Sequence, residues 1–415
     1  MDYLVLTKVH GAILGPISQI LGWILNVLVT FTNSFGVLNI GLSIILFTLV
    51  VKLLMFPMTI KQQKASKLMA VMQPELQAIQ AKYKGKTDND SMMKMNVETK
   101  AVYEKYGTSM TGGCLQLVIQ MPILFALYRV IYCIPAYVMP VKEHFLNVVY
   151  ALTGASSASA LSEGAAANLL QFATDHNIAL TGINPVGDLT GVTGEALANK
   201  MVDILYKLNP AQWSDLAQAF PNAADVISGN AATIEKMNTF LGINLASNPF
   251  NGSFVPNLAW LIPILAGLTQ YASTKLMMAT QPKKNNEEDM SSQMMQSMNV
   301  TMPLMSVFFC FTFPAAIGIY WVASSTFQLL QQLVVNSYLD KVDMDELIRK
   351  NVEKANKKRA KKGLPPQKVN QNATASLKHM QAVQEKEEAE RAEKLEKSKK
   401  QVEASNNYYN KDAKP

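Results

Sequence analysis

Long apolar runs alternate with polar stretches along this chain. The runs with few charges are residues 11–31, 37–58, 113–137, 256–276 and 299–338. A helix of about 20 apolar residues crosses a bilayer, and the last run is long enough for two helices turning near Phe313, Pro314 and Ala315. The pattern therefore predicts an all-α integral membrane protein with five spans after residue 36.

The first run, residues 11–31, differs from a simple span. Gly11, Gly15 and Pro16 interrupt it, and Gln19 and Asn26 lie within it. We therefore expect residues 1–36 to form an N-terminal helix lying in the outer interface of the membrane. A cleaved signal peptide is disfavoured, because the start of the chain is not basic overall and no small-residue cleavage site follows the apolar core.

Composition and charge set the expected topology. Of the 415 residues, 49% are hydrophobic and only 17% are charged. Residues 59–111 hold nine lysines against five acidic residues, whereas residues 138–255 hold four lysines against nine acidic residues. The positive-inside rule then predicts that residues 59–111 are cytoplasmic, with the N-terminus outside and the C-terminus inside.

These signals divide the chain into predicted segments. After the N-terminal helix come core helix 1 (37–58), a cytoplasmic helical hairpin (59–111), core helix 2 (112–137), an extracellular insertion (138–255), core helix 3 (256–276), a cytoplasmic loop (277–298), core helix 4 (299–314), core helix 5 (315–338) and a basic, mostly disordered cytoplasmic tail (339–415). The insertion contains helix-like pieces such as GEALANKMVDILYKL and is expected to be a small outer domain. The sequence suggests no function for it.

The hairpin has one apolar face. Leu68, Met72, Leu76, Ile79 and Tyr83 recur at helical spacing, opposite lysines and glutamines. A turn at KGKTDND separates this helix from a second one, SMMKMNVETKAVYEKYG. Two interpretations are open: a spacer lying on the lipid surface, or a moving element that contacts a partner.

The tail and the cysteines carry weaker signals. The most basic cluster of the tail comprises Lys357, Lys358, Arg359, Lys361 and Lys362. Contact with anionic lipid and contact with ribosomal RNA both fit this cluster. The three cysteines, Cys114, Cys133 and Cys310, sit at no metal-ligand spacing and are expected to pack as small apolar residues. Neither a metal site nor a cofactor is predicted.

Three extended stretches carry a family resemblance. FPMTIKQQKASKLMAVMQPELQAIQAKY, GGCLQLVIQMPILFALYRVI and MPLMSVFFCFTFPAAIGIYWVASSTFQLLQQ occur in this order. They resemble the cytoplasmic hairpin, the second core helix and the closing hairpin of the YidC/Oxa/Alb family of membrane protein insertases. The resemblance implies a five-transmembrane-helix core around a polar groove that opens to the cytoplasm and to lipid but is sealed outside. Because no large domain precedes core helix 1, a bacterium with a single plasma membrane is expected.

Lys52 interrupts the apolar run LFTLVVKLLMFP. The family resemblance implies that it points into the groove, where the family usually has arginine. Water in the groove would offset the cost of about 2.5–3.5 kcal/mol for a basic side chain at the membrane centre. Snorkelling is the other interpretation, since Met58 at the cytoplasmic end is about 9 Å away along the helix. A lysine also lacks the planar hydrogen-bonding fork of arginine.

Polar residues within the other predicted spans are candidates for the groove or for contact with a client. They are Thr48, Gln120, Gln270, Ser273, Tyr320, Trp321, Ser324, Ser325 and Gln328. Hydrogen bonding between helices is an alternative role for these polar groups. Tyr320 and Trp321 would either contact a client or anchor at the interface.

The function implied by the resemblance is insertion of nascent membrane proteins into the lipid bilayer without nucleotide hydrolysis. The ribosome and the Sec translocon are possible partners, and no small-molecule substrate is expected. A transporter or channel is the alternative, but the spans after residue 36 contain no acidic residue or histidine for ion coupling. An enzyme is disfavoured because all four histidines, His10, His144, His176 and His379, lie outside these spans.

Overall fold

The computed structural model describes residues 11–86, 88–106, 114–178, 189–250, 255–279, 290–339, 341–361, 363 and 365. The helices are α1 (Leu14–Ser34), α2 (Ile40–Lys82), α3 (Asn89–Lys105), α4 (Cys114–Tyr132), α5 (Ile134–Tyr137), α6 (Met139–Thr153), α7 (Ala167–Asp175), α8 (Gly194–Leu205), α9 (Pro210–Ala219), α10 (Ala224–Asn238), α11 (Leu261–Ala279), α12 (Met290–Thr312), α13 (Ala315–Leu339) and α14 (Met344–Ala360). Two short antiparallel strands, β1 (Thr239–Phe240) and β2 (Ile243–Asn244), join α10 to the segment before α11. The described part of the chain is therefore mostly helical, as the sequence predicts, apart from this short strand pair.

The chain forms two compact units. The larger unit comprises Met1–Thr59, Cys114–Met278 and Asn285–Val334, and the smaller unit comprises Ile60–Gly113, Ala279–Lys284 and Val335–Pro415. Among the described residues, the helices long and apolar enough to cross a membrane are Leu14–Ser34 and the part of α2 from Ile40 to Met69. Both begin in the larger unit.

Helix α1 is apolar on two faces. Leu21, Leu25 and Val29 are buried, while Trp23 and Phe31 on the other side are exposed. Gly22 lies so close to the ring of Tyr137 in α5 that any Cβ there would overlap it. An apolar exposed face favours contact with lipid, but the placement of α1 in the outer interface stays a prediction.

Helices α11, α12 and α13 pack closely through glycines. A Cβ on Gly267 of α11 would lie within 2.5 Å of Val307 in α12. A Cβ on Gly318 of α13 would overlap Ile262 of α11. Small residues at such contacts let helix backbones approach each other, as in membrane helix bundles.

The boundaries of two predicted core helices differ from the sequence interpretation. Helix α12 begins at Met290 and not at residue 299, and no glycine or proline interrupts residues 290–302. Helix α4 ends at Tyr132, and the separate short helix α5 begins at Ile134 with Pro135 in its first turn. A proline lacks the backbone N–H that a continuing helix would use, which favours a break of α4 before Pro135.

The insertion is not a separate domain. Its helices α6, α8 and α10 contribute Val148, Met201 and Ile227 to one continuous core that also contains Phe47 of α2 and Val130 of α4. The two helices expected in the insertion are present as α8 and α10. The apolar faces of α6, α8 and α10 pack within the insertion, and α6 also packs against α1 and α5, while the outer location of the insertion stays a prediction.

The smaller unit has its own core. Leu68, Met72 and Leu76 of α2, Val102 of α3 and Tyr106 are buried there. Helix α3 begins where the Asp88 carboxylate accepts a hydrogen bond from the Ser91 backbone nitrogen, at 2.9 Å. The two helices and the turn predicted between residues 60 and 106 are therefore present, while their cytoplasmic location stays a prediction.

Part of the predicted disordered tail is helical. Helix α14 places Ile348 in the core of the smaller unit, and Val352 packs against that core one turn later. The Arg359 guanidinium lies 3.3 Å from the Glu104 carboxylate of α3. Residues 344–360 form a helix because apolar residues spaced four apart give it a surface to bury, and the mostly disordered character of the tail stays a prediction.

Candidate functional site

Lys52 lies in the apolar part of α2. Its side chain is half-buried, while the next two residues, Leu53 and Leu54, are 58% and 68% exposed. Among the residues that the structure describes, the Lys52 ammonium makes no hydrogen bond or ion pair to a side chain. The charge therefore sits beside exposed apolar surface, where pairing within the described chain does not neutralise it.

Helix α13 contacts α2 at this lysine. The Gln331 side-chain amide donates a hydrogen bond of 2.9 Å to the backbone carbonyl of Lys52. Sequence reasoning missed Gln331, although it is a polar residue in the same apolar helix as Gln328. The sequence shows a polar residue at position 331 within an apolar helix. It does not show the rotation of α13 that directs the Gln331 side chain toward α2.

Thr48 lies one turn before Lys52 and is fully buried. Its hydroxyl donates a hydrogen bond of 2.7 Å to the Ile44 carbonyl of the same helix. Such a bond occupies the only donor of a threonine side chain. The described contacts therefore give Thr48 a role within α2, and its prediction as a groove residue stays untested.

A hydroxyl pair joins α11 to α13. The side-chain oxygens of Thr269 and Ser325 are 2.6 Å apart, and Ser325 is 2% exposed. Thr269 was not predicted, whereas Ser325 was. This geometry matches the alternative role proposed from the sequence, a hydrogen bond between helices.

The other predicted residues occupy varied environments. Ser273 and Tyr320 are buried, and Tyr320 belongs to the continuous core of the larger unit. The half-buried ones are Gln120, Gln270, Trp321, Ser324 and Gln328. Within the described chain, no hydrogen bond joins any of them to the Lys52 side chain, so the polar groove itself stays a prediction.

The basic cluster of the tail begins on α14. Lys357 pairs with Glu353 at 2.7 Å, and Arg359 pairs with Glu104. Lys361 is exposed just after the helix. The side chain of Lys358 and the whole of Lys362 lie outside the described residues. Two of the predicted contact residues are therefore already engaged in ion pairs.

Apolar side chains are exposed along several helices of the larger unit. They are Leu261, Ile264, Leu265 and Leu268 on α11, Leu304, Met305 and Phe308 on α12, and Leu330, Leu333 and Val334 on α13. Contiguous apolar surface of this kind marks contact with a membrane or a partner. Among the described residues, no group of three or more His, Cys, Asp or Glu side chains is placed to hold a metal ion.

A sequence model of the 60Kd inner membrane protein family matches residues 30–158 and 216–342. The chain belongs to this family. The matched stretches contain Lys52 and Gln331, Thr269 and Ser325, whereas residues 159–215 of the insertion lie between the two matches.

Curated relatives agree with this assignment. The chain is 27% identical over 307 residues to membrane protein insertase YidC of Oceanobacillus iheyensis, covering 74% of this chain and 78% of the relative. It is 25% identical to membrane protein insertase MisCA of Bacillus subtilis, covering 75% and 76%. It is 24% identical to membrane protein insertase YidC 2 of Listeria innocua, covering 84% and 82%. The family resemblance predicted from the sequence is confirmed.

Proposed function

We propose that this protein is a membrane protein insertase. It moves short polar segments of nascent membrane proteins through a hydrated groove and releases their apolar helices into lipid, without nucleotide hydrolysis. The observation that carries the proposal is the half-buried Lys52 on an apolar helix, without a side-chain partner in the described part of the chain. The names of the relatives support the same function.

The proposed architecture is a five-helix core made by the apolar part of α2 with α4, α11, α12 and α13. The exposed apolar side chains of α11, α12 and α13 support contact of these helices with lipid. The N-terminus lies outside and the C-terminus inside, as the lysines of residues 59–111 favour. The protein is then a multi-pass protein of a bacterial plasma membrane.

In the proposed mechanism, the hairpin at residues 60–106 makes the first contact with a nascent segment. The polar part of that segment enters the groove, where Lys52 and water replace bulk hydration and favour acidic residues. The apolar part partitions into lipid along α11 and α13. Transfer of apolar surface from water contributes about 25 cal/mol per Å², which supplies the driving force.

The partners follow from this mechanism. Nascent membrane proteins and the lipid bilayer are required. The lysines and arginine of residues 357–362 support a ribosome or anionic lipid contact, and the Sec translocon is a further partner for larger clients. A transporter or channel remains the second candidate class, but the spans lack the acidic residues and histidines that ion coupling uses.

The proposal is tested with purified protein in liposomes that lack Sec components. A small two-span client is added, and the protection of its polar loop from external protease is measured for wild type, Lys52→Arg and Lys52→Gln. We expect protection with wild type and Lys52→Arg and its loss with Lys52→Gln. Lys236→Gln on α10 is the matched control, since it removes an exposed lysine charge outside the hairpin and should leave protection unchanged.

Two outcomes would contradict parts of the proposal. Equal protection by all three proteins would retain the insertase and remove Lys52 from its mechanism for that client. Protection no greater than with empty liposomes, with the protein shown to be folded, would exclude autonomous insertion.

A further inference from the structure

The insertion is fastened to the ends of the core helices. The Asn39 side-chain amide, just before α2, donates a hydrogen bond of 2.9 Å to the carbonyl of Thr239 in β1. Gly41 of α2 lies directly against the ring of Phe240. Both contacts hold the short strand pair over the beginning of α2.

A second set of bonds fastens the insertion to the turn between α12 and α13. The backbone nitrogens of Ala315 and Ala316 donate hydrogen bonds of 2.9 and 3.0 Å to the carbonyls of Ser247 and Leu245. The Asn248 side-chain amide donates to the Thr312 carbonyl at 3.2 Å. Segment 245–248 therefore caps α13 and is positioned by the core helices themselves.

Between these two attachments lies a cavity of about 610 Å³. Its walls include Ile40 at the beginning of α2, Ile131 near the end of α4 and Pro314 between α12 and α13. The rest of the wall comes from the insertion, mainly from α8 to α10 and the segment after β2. A volume of about 300–1,000 Å³ is typical of a binding cleft.

The chemistry of the cavity wall is mixed. Asp203, Lys207 and Glu235 bring charges of both signs, and Asn209 and Asn238 bring side-chain amides. Trp213 adds an aromatic surface. Amides both donate and accept hydrogen bonds, so such a wall can pair with a peptide backbone whatever its sequence. An aromatic wall accommodates an apolar side chain of the same peptide.

The position of the cavity identifies its occupant. Ile40 begins the helix that carries Lys52, twelve residues or about 18 Å further along that helix. A polar segment drawn past Lys52 toward the beginning of α2 therefore arrives at this cavity. Nine of the wall residues, among them Asp203, Lys207 and Trp213, lie in residues 159–215, between the two stretches that match the family model.

We infer that this cavity is an exit site that binds the polar segment of a client, as an extended peptide, after that segment has passed Lys52. The inference rests on the proposed insertase function and adds a second binding site to it. The insertion then holds the translocated segment while the apolar helices of the client move into lipid.

The test uses full-length protein in the liposome assay described above. A photoreactive benzoylphenylalanine replaces Ser214, which lines the cavity, or Gln218, one turn later on α9 and outside the cavity wall. Crosslinks to the polar loop of the client and protease protection of the loop are measured in the same samples. We expect crosslinks from position 214 that rise as the loop becomes protected, and background labelling from position 218.

A second variant tests occupancy without a photoreactive group. Ala232 lines the cavity on α10, and Ala232→Trp should fill it and slow loop protection several-fold. Lys236→Trp, one turn later and outside the cavity wall, should leave the rate unchanged.

The outcomes separate the exit site from the insertase function. A protected loop without crosslinks at position 214 above those at position 218 would overturn the exit site and leave the insertase standing. Crosslinks from position 214 to other molecules that are equally strong in samples without client would overturn the exit site in favour of a site for lipid or a small ligand. Absence of loop protection with wild-type protein would overturn both.

Discussion

The Gln331 side chain donates a hydrogen bond of 2.9 Å to the backbone carbonyl of Lys52. This bond joins α13 to α2 at Lys52, the one charged residue of the apolar run 37–58. Because it engages the backbone of Lys52, it leaves the ammonium group available for water or for a client. The contact therefore positions the charge without neutralising it.

Replacing Gln331 tests this positioning. We expect Gln331→Leu to lower the rate of loop protection several-fold and to cost about 1 kcal/mol of stability, the usual net contribution of one hydrogen bond. Thermal unfolding in detergent and the liposome assay measure the two effects. Thr326→Leu, at an exposed position of α13, is the control. Equal behaviour of the two variants would remove Gln331 from the mechanism.

The hydroxyl pair between α11 and α13 gives a second prediction. A double-mutant cycle with Thr269→Val and Ser325→Ala should yield a coupling energy of about 0.6 kcal/mol, the average for hydrogen bonds between membrane helices. Unfolding of the purified protein measures it. Thr312 bonds only within its own helix through its side chain, so a cycle of Thr312→Val with Ser325→Ala should give no coupling. Coupling in both cycles would point to a general change in packing.

Each long apolar run of the sequence contains a helix in the structure, because such runs are a strong helix signal. It placed the turn near Pro314 between two helices, and the structure ends α12 at Thr312 and begins α13 at Ala315. Thr269 and Gln331 were missed for a physical reason. Polarity within a span is visible in the sequence, but the partner of each polar side chain depends on how neighbouring helices rotate against each other.

The insertion and the tail show a second limit of sequence reasoning. The amphipathic pattern of residues 194–205 predicts a helix, but not the surface that buries its apolar face. In the structure that surface belongs to α6 and α7 of the same insertion. The tail helix α14 was missed because Ile348 and Val352 are isolated apolar residues in a charged stretch, and only packing against α2 and α3 makes them a core.

Glycine substitutions test the packing of α1. Gly22→Ala should destabilise the protein by about 1–3 kcal/mol, because its Cβ overlaps the Tyr137 ring. Gly229→Ala on α10 is the matched control, since no atom lies within 4 Å of its Cβ position. There the gain in helix propensity should stabilise the protein by about 0.5–1 kcal/mol. A Gly22→Ala variant that is as stable as the wild type, or more stable, would contradict the close contact of α1 and α5.

Tyr106 makes the smaller unit sensitive to alkaline pH. Its hydroxyl donates a hydrogen bond of 2.8 Å to the Glu75 carboxylate. Burial, together with this bond, raises the pKa of Tyr106 above its ordinary value of about 10. The unfolded state therefore loses its proton first, and the stability contributed by Tyr106 is complete below pH 10 and falls as the pH rises above it.

Hydrogen exchange of the amides in α3 measures this dependence in the full-length protein. Tyr106→Phe should lower the stability of the smaller unit by about 1 kcal/mol at pH 7 through the lost hydrogen bond. Above pH 10, amide protection in this variant should fall less steeply with pH than in the wild type. Tyr103→Phe is the control at pH 7, since among the described residues the Tyr103 hydroxyl makes no hydrogen bond. The protection of the α3 amides should be unchanged in this variant. An alkaline dependence that Tyr106→Phe leaves intact would assign the effect to another group.

The docking of α14 decides where the basic cluster of the tail is presented. Ile348 is 5% exposed in the core formed with α2 and α3, so Ile348→Asp buries a carboxylate and should detach α14. The Arg359 and Glu104 contact would be lost with it, freeing the arginine side chain. Limited proteolysis within residues 341–361 should then be faster by at least an order of magnitude, since a cost of about 1.4 kcal/mol changes a population tenfold. Lys354→Asp, on the exposed face of α14, should leave cleavage nearly unchanged. Equal cleavage of both variants would mean that the contact through Ile348 does not hold the helix, and that the basic cluster is presented independently of the hairpin.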